Sequence, residues 1–288
     1  EVFAGHVGPG DLIIDLAWNL GTPDLLDWCH HHGVLYLNAS VEEWDPYANL
    51  GRESPLDRTL YARHMELRQM FDRWGGNTGP TAVLDHGANP GLVSHFTKQA
   101  LLDLADAWLA GAPGATRAPT DEERTALEAA RRDWAFAELA RLLDVQVIHI
   151  SERDTQISIE PKREGEFVNT WSVEGFYEEG IAPAEMGWGT HERRLPAGAL
   201  VHDAGHRNQI CLAHPGARTL VRSWVPCGEI VGMVIRHGEA FSISESLTVT
   251  DEFGAPVYRP TVHYAYCPAD AAVASMHELH MRGDRLQE

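Results

Sequence analysis

The chain has 288 residues, 44 % of them apolar, and a formal charge of −19. That much apolar material excludes a disordered chain, and no run reaches the ~18 apolar residues of a membrane span. So acidic a surface repels phosphate backbones, which excludes nucleic acid as a partner and favours a cationic ligand, although on charge alone solubility is the simpler explanation.

In chain order, Leu12 to Leu16 is a short apolar run that reads as a buried strand. Thr22 is expected to cap a helix with Pro23 at its first position and Gly33 past its end. Val34 to Val41 is the next strand. Ser54 and Pro55 open a long helix that stops at Gly75 and Gly76. Thr81 to Leu84 begins a third strand, which runs into the turn GANPG at Gly87 to Gly91. A helix follows with Leu92, Phe96, Leu101, Leu104 and Trp108 near helical spacing. After the small-residue stretch Gly111 to Pro119, Thr120 and Glu123 form a capping box. This alternation predicts a parallel sheet with crossover helices.

The second half changes character. Strands are expected at Val145 to Ile150, Thr155 to Ile159, Phe167 to Val173, Thr219 to Val225, Val231 to Arg236 and Ala240 to Val249, with a helix at Asp270 to His280. The fold class is therefore α/β: a partial Rossmann-like domain over residues 1–115, then an α+β domain with a mixed or antiparallel sheet over residues 116–288. A dinucleotide fold opens on a strand, a GxGxxG turn and a helix. No GxGxxG occurs here, and GHVGPG at Gly5 to Gly10 has the wrong glycine order.

Other chemistries leave no motif. GxSxG, P-loop and HExxH are absent. The four cysteines, Cys29, Cys211, Cys227 and Cys267, form no CxxC pair, so a reduced, cytoplasmic protein without a metal site is expected. Neither Lys98 nor Lys162 has the apolar setting of a Schiff-base lysine, so imine chemistry requires a cofactor.

Five segments remain. In DHGANPG, Asp85 to Gly91, an asparagine at a strand end can face a ligand or simply cap a helix. HISERDTQ, His149 to Gln156, places Glu152 just past an apolar strand. NTWSVEGFYEEG, Asn169 to Gly180, combines Trp171 with Glu174, Glu178 and Glu179, which is how an amine cation is held, and equally how a core tryptophan sits beside an acidic loop. GWGTHE, Gly187 to Glu192, permits close backbone approach at Trp188. In IRHGEAFSI, His237 and Glu239 face one side of a strand, as a proton-relaying pair or as an exposed hairpin.

Together and in this order, GANPGLVSHFTKQAL, ISERDTQ, FVNTWSVEGF, EEGIAPAEMGWGTHE, HPGARTLVRSWVP and VYRPTVHYAYCP resemble the bacterial homospermidine synthases of the saccharopine dehydrogenase-like group. The similarity covers nearly the whole chain, apart from Gly111 to Arg131, which is expected to be a surface insertion. The resemblance implies a fragment, preceded by a GxGxxG unit and followed by further sequence. It implies a homodimer that uses NAD as a recycled hydride carrier on putrescine and related diamines. It implies Glu179, His237, Glu239 and Asn89 as catalytic residues, and Trp171, Glu152, Glu42 and Asn89 around the diamine. It implies Asn19, Ala88, Asn89 and Pro90 around the cofactor.

The chemistry requires such a set. Hydride leaves only from carbon next to an uncharged nitrogen, so one end of a diamine must be held as ammonium while the other loses its proton. Carboxylates and an aromatic face do the first, and a histidine or a carboxylate of raised pKa does the second. Two alternatives stay open. One is a related imine-reducing dehydrogenase of the carboxynorspermidine or saccharopine type, with Arg153, Arg218 and Arg222 clamping a carboxylate. The other is a non-catalytic polyamine-binding domain.

Overall fold

The computed structural model describes residues 3–18, 20–45, 54–76, 78–112 and 117–284. Its first part is a three-stranded parallel sheet. β1 (Leu12–Asp15) leads through helix α1 (Thr22–His32) to β2 (Leu35–Asn38), and α2 (Leu60–Arg73) leads on to β3 (Ala82–Val83). The strand order is β1-β2-β3. α1 ends because Gly33 takes φ 70°, which an L side chain rarely adopts. Leu26, Cys29, Val34, Tyr36, Leu67 and Met70 bury the space between helices and sheet.

Three local expectations need correction here. Thr22 is the first residue of α1 rather than its cap, and its hydroxyl accepts the Glu42 N–H at 2.9 Å, tying the helix start to the chain after β2. Pro55 opens only a single 3-10 turn, Pro55–Arg58; Thr59 then leaves helical geometry and caps α2 through its side chain. β1 is not buried on both faces. Ile13 packs inward, whereas Leu12 and Ile14 are 52 % and 58 % exposed, because successive side chains point to opposite sides of a strand.

Helix α3 (Leu92–Leu109) runs from the GANPG turn, followed by α4 (Asp121–Arg132) and α5 (Phe136–Leu142). The Thr120–Glu123 capping box forms as the sequence predicts. Ala105, Leu127, Ala130 and Leu139 join the three helices, and Leu101 of α3 enters the main core beyond them.

The larger sheet comprises β4 (Val147–Arg153), then, after helix α6 (Val173–Ile181), β5 (Pro183–Gly187), β6 (Ala199–Val201), β7 (Gln209–Pro215), β8 (Leu220–Val225) and β9 (Gly228–Met233). Helix α7 (Gly238–Ser246) and a small ladder of β10 (Val249–Thr250) with β11 (Pro256–Tyr258) precede β12 (Thr261–Cys267) and α8 (Asp270–Met281). The order is β6-β7-β5-β12-β9-β8, with β4 also on β12. Only β4 and β12 run parallel, in register from Thr261↔Val147 to Cys267↔Arg153, so the sheet is mixed. Phe176, Tyr264, Tyr266 and Met276 stand in its main core.

Three expected strands do not form. Thr155 to Ile159 is an irregular rim segment, with Ile157 and Ile159 fully outward. Phe167 to Val173 is the irregular approach to α6. Ala240 to Val249 is mostly α7; a helix buried nearly all round, here by Ala240, Phe241, Ile243 and Ser244, has the same apolar density as a buried strand. Among the described residues no helix is long and apolar enough to cross a membrane.

Candidate active site

A cleft of about 750 Å³ opens between the two sheets. Its first wall is made by the chain just past β1, β2 and β3, from Asp15 to Trp18, Ala39 to Glu42, and Asp85 with Asn89 and Pro90. This is the carboxyl edge of a parallel sheet, where open α/β folds bind their ligands. The facing wall comes from Glu152 at the end of β4, Trp171 and Glu179 around α6, His237 before α7, and Tyr264 and Tyr266 of β12.

At the floor, Asn89 Nδ2 donates to Glu152 at 2.5 Å and to the Tyr264 hydroxyl at 2.9 Å, and that hydroxyl donates to Glu152. The Tyr264 ring stacks on His237, with centroids 4.1 Å apart. His237 Nδ1 lies 2.8 Å from Glu239, and its Nε2 lies 3.8 Å from Glu179. Trp171 donates its indole N–H to the Tyr266 hydroxyl at 2.9 Å, which fixes the ring on the cleft wall. Gly175 leaves room for that ring: a Cβ there would meet it at 2.8 Å.

Burial raises the Glu179 carboxyl; His237 and Arg236 counteract, Glu178 and Glu239 reinforce, and it comes to rest at about 7. Burial alone would lower His237, but the carboxylates of Glu239, Glu179 and Glu152 lift it to about 9. At neutral pH the histidine is therefore charged and Glu179 exchanges a proton. Buried oxygens of Glu179 and Glu239 have no hydrogen-bond partner, so the carboxylates have capacity left for an N–H donor. Burial also raises Glu42, which accepts a hydrogen bond from Ser40.

A further charged cluster borders the same cleft. Glu178 accepts from Arg63 at 3.0 Å and from Arg236. Arg63 also binds Glu43 at 2.7 Å, and Arg236 binds the Arg58 carbonyl at 2.7 Å. Glu185, wholly buried, accepts the N–H groups of Leu60 and Tyr61 at 2.8 Å each and so anchors the first turn of α2.

Of the residues singled out by sequence, Asn89, Pro90, Glu42, Glu152, Trp171, Glu179 and His237 line one cleft. Glu239 stands behind His237 and is fully buried, which overturns the exposed-hairpin reading of that segment. Ala88 is exposed and lies outside the cleft lining. Asn19 falls outside the described residues. Glu174 is exposed, and the GWGTHE segment serves packing: Trp188 joins a core with Met186 and Ile210. Tyr264, Tyr266, Arg63 and Arg236 were not singled out. The alternation in HYAYC puts the two tyrosines on one strand face, a signal present in the sequence.

Residues 87–287 match the saccharopine dehydrogenase C-terminal domain family, and residues 1–83 match the saccharopine dehydrogenase NADP binding domain family. The chain belongs to the saccharopine dehydrogenase family. Among its relatives, homospermidine synthase of Blastochloris viridis is 43 % identical over 281 residues, spanning 96 % of this chain and 55 % of that protein. The homospermidine synthase of Mesorhizobium japonicum is 41 % identical over 269 residues, 92 % of this chain and 52 % of that protein. A crystal structure of homospermidine synthase from Legionella pneumophila in complex with NAD matches the saccharopine dehydrogenase fold seen here with a TM-score of 0.79 at 37 % identity, covering 100 % of this chain and 56 % of that one. The chain thus spans about half the length of the curated relatives it matches.

Proposed function

We propose that the protein containing this chain is an NAD-dependent homospermidine synthase, joining two putrescine molecules with loss of ammonia. The observation that supports this best is the pairing of Glu179, poised at about 7 with an unpartnered buried oxygen, with Trp171 and several carboxylates in one cleft. The donor set fits a dinucleotide: the cleft is at the carboxyl edge of β1, β2 and β3, and Ala17, Ser40, Asn89 and Pro90 line it there. These residues would hold NAD, which takes up and returns a hydride when bound.

The chain's own residues prepare the substrate. Trp171 and Glu152 hold one end as ammonium, by the ring face and by charge. Glu179 takes the proton from the other end. An alkylammonium keeps its proton to about pH 10, so passing it to a carboxyl group at about 7 costs about 5 kcal/mol, against about 8 kcal/mol for an ordinary carboxylate. Charged His237, held by Glu239, then faces the carboxyl group that must cycle between its two forms. The second amine adds to the imine carbon and ammonia leaves, giving a new imine, and Glu179 supplies and removes the protons of that exchange.

A carboxylate-bearing substrate fits less well. Of the three candidate clamps only Arg153 lines the cleft; Arg218 and Arg222 bind Asp284 and Glu229 away from it, and Arg63 and Arg236 both bind Glu178. A reducing, cytoplasmic setting is part of the proposal, in keeping with the free cysteines Cys29, Cys211, Cys227 and Cys267. Incubating the intact protein with NAD and putrescine tests the reading. Homospermidine should form with one ammonia released and no net NADH; a pure polyamine binder forms no product, and a dehydrogenase accumulates NADH.

A further inference from the structure

Tyr264 lies at the centre of β12 and is 3 % exposed, so its ring has no room to swing. It touches Asn89 and Glu152 through its hydroxyl and His237 through its face. Burial holds its phenol well above the ordinary range, so it remains a donor to Glu152 throughout the working range of pH. The two hydrogens of the Asn89 amide go to Glu152 and to Tyr264, which leaves the amide carbonyl as the atom available to a ligand. Turned over, the same amide would set N–H against an ammonium ion, donor against donor.

The second contact concerns charge. Parallel stacking at 21° puts the imidazole over the phenol face, where a cation is attracted. The groups around His237 are Glu239 of α7, Glu179 of α6, Glu152 of β4 and Arg236 beside it in the chain. Asp85 stands against neighbouring Gly238, where a Cβ would meet its carboxylate at 2.6 Å.

We propose that Tyr264 is the positioning residue for both ends of the site: its hydroxyl locks the Asn89 carbonyl toward the amine, and its ring holds the charged His237 flat against Glu239. The amine end rests on the diamine reading above; the His237 end does not. Two variants of the intact protein separate the roles. Tyr264→Phe keeps the ring, so the ligand-free NMR titration of His237 should stay at the wild-type midpoint. Its KM for putrescine should rise about tenfold or more, with kcat less affected, as expected for losing a hydrogen bond to a charged group. Tyr264→Leu removes the ring as well. The His237 midpoint should then fall by about 0.5–1 pH unit, and the alkaline limb of the rate profile with it. A wild-type KM in Tyr264→Phe, or an unmoved His237 midpoint in folded Tyr264→Leu, overturns the proposal. If the wild-type protein makes no homospermidine, the diamine reading fails, and the NMR titrations still decide the role of Tyr264 at His237.

Discussion

Glu179 and Trp171 divide the work of the cleft, and each can be tested alone. Glu179→Gln keeps shape and removes the proton acceptor. Turnover should fall roughly a hundredfold or more, and the rate should lose its dependence on pH near 7. Putrescine binding, followed by calorimetry, should persist; loss of binding with normal turnover of bound substrate would place Glu179 in the wrong role. Gly175→Ala forces the Trp171 ring off its seat, because the new methyl falls 2.8 Å from it. KM should rise about two- to tenfold, in line with a weakened cation–π contact, with a shift in tryptophan emission. At this scale much was legible in sequence. Asn89, Glu152, Trp171, Glu179 and His237 stand in motif-like segments beside small residues and prolines, and they do meet. The partners of Glu178 were not legible. An arginine on α2 and another after β9 reach it across 115 and 58 residues, and nothing in local spacing records such a pairing.

At the level of elements, that pairing joins α2, α6 and the approach to α7. Arg63 and Arg236 are nearly excluded from water; removing their shared carboxylate strands the charge of Arg236, while Arg63 keeps Glu43. Glu178→Gln should cost about 3–5 kcal/mol, or roughly 10 °C in Tm. Thermal unfolding by circular dichroism checks this, and an unchanged Tm would show that water reaches the arginines. The helices and strands of the first sheet were readable because Pro, Gly and capping residues punctuate them. α7 was misread as a strand because it is short and densely buried. Apolar periodicity cannot tell a fully buried helix of nine residues from a buried strand.

Taken as a whole, the molecule stores unfavourable charge in its ligand-free state. Glu179 binds its proton more tightly folded than unfolded, so its contribution to stability is complete below about pH 4.5 and is lost as pH rises through about 7. His237 contributes fully below about 6.5, and that contribution is lost as pH rises through about 9. Glu123, held at about 2 by Arg117, acts in the opposite direction, but only below the ordinary carboxylate range. Buried His263, held down at about 4, gains stability as pH rises towards 6.5 and offsets Glu179 there, so denaturant unfolding should show stability declining from about pH 6.5 to pH 9, by on the order of 3 kcal/mol. His237→Gln should flatten the upper part of that decline and Glu179→Gln the lower. A decline unaltered by either variant would assign it elsewhere.

The cleft has one wall on each sheet, and the Arg63–Glu178–Arg236 cluster is the seam between them. The breadth of the cavity is thus set in part by an ion-paired joint that itself lines the cleft. Selection for a longer or shorter polyamine therefore meets a coupling: a change at the joint alters the cavity wall and the attachment of α2 to α6 together.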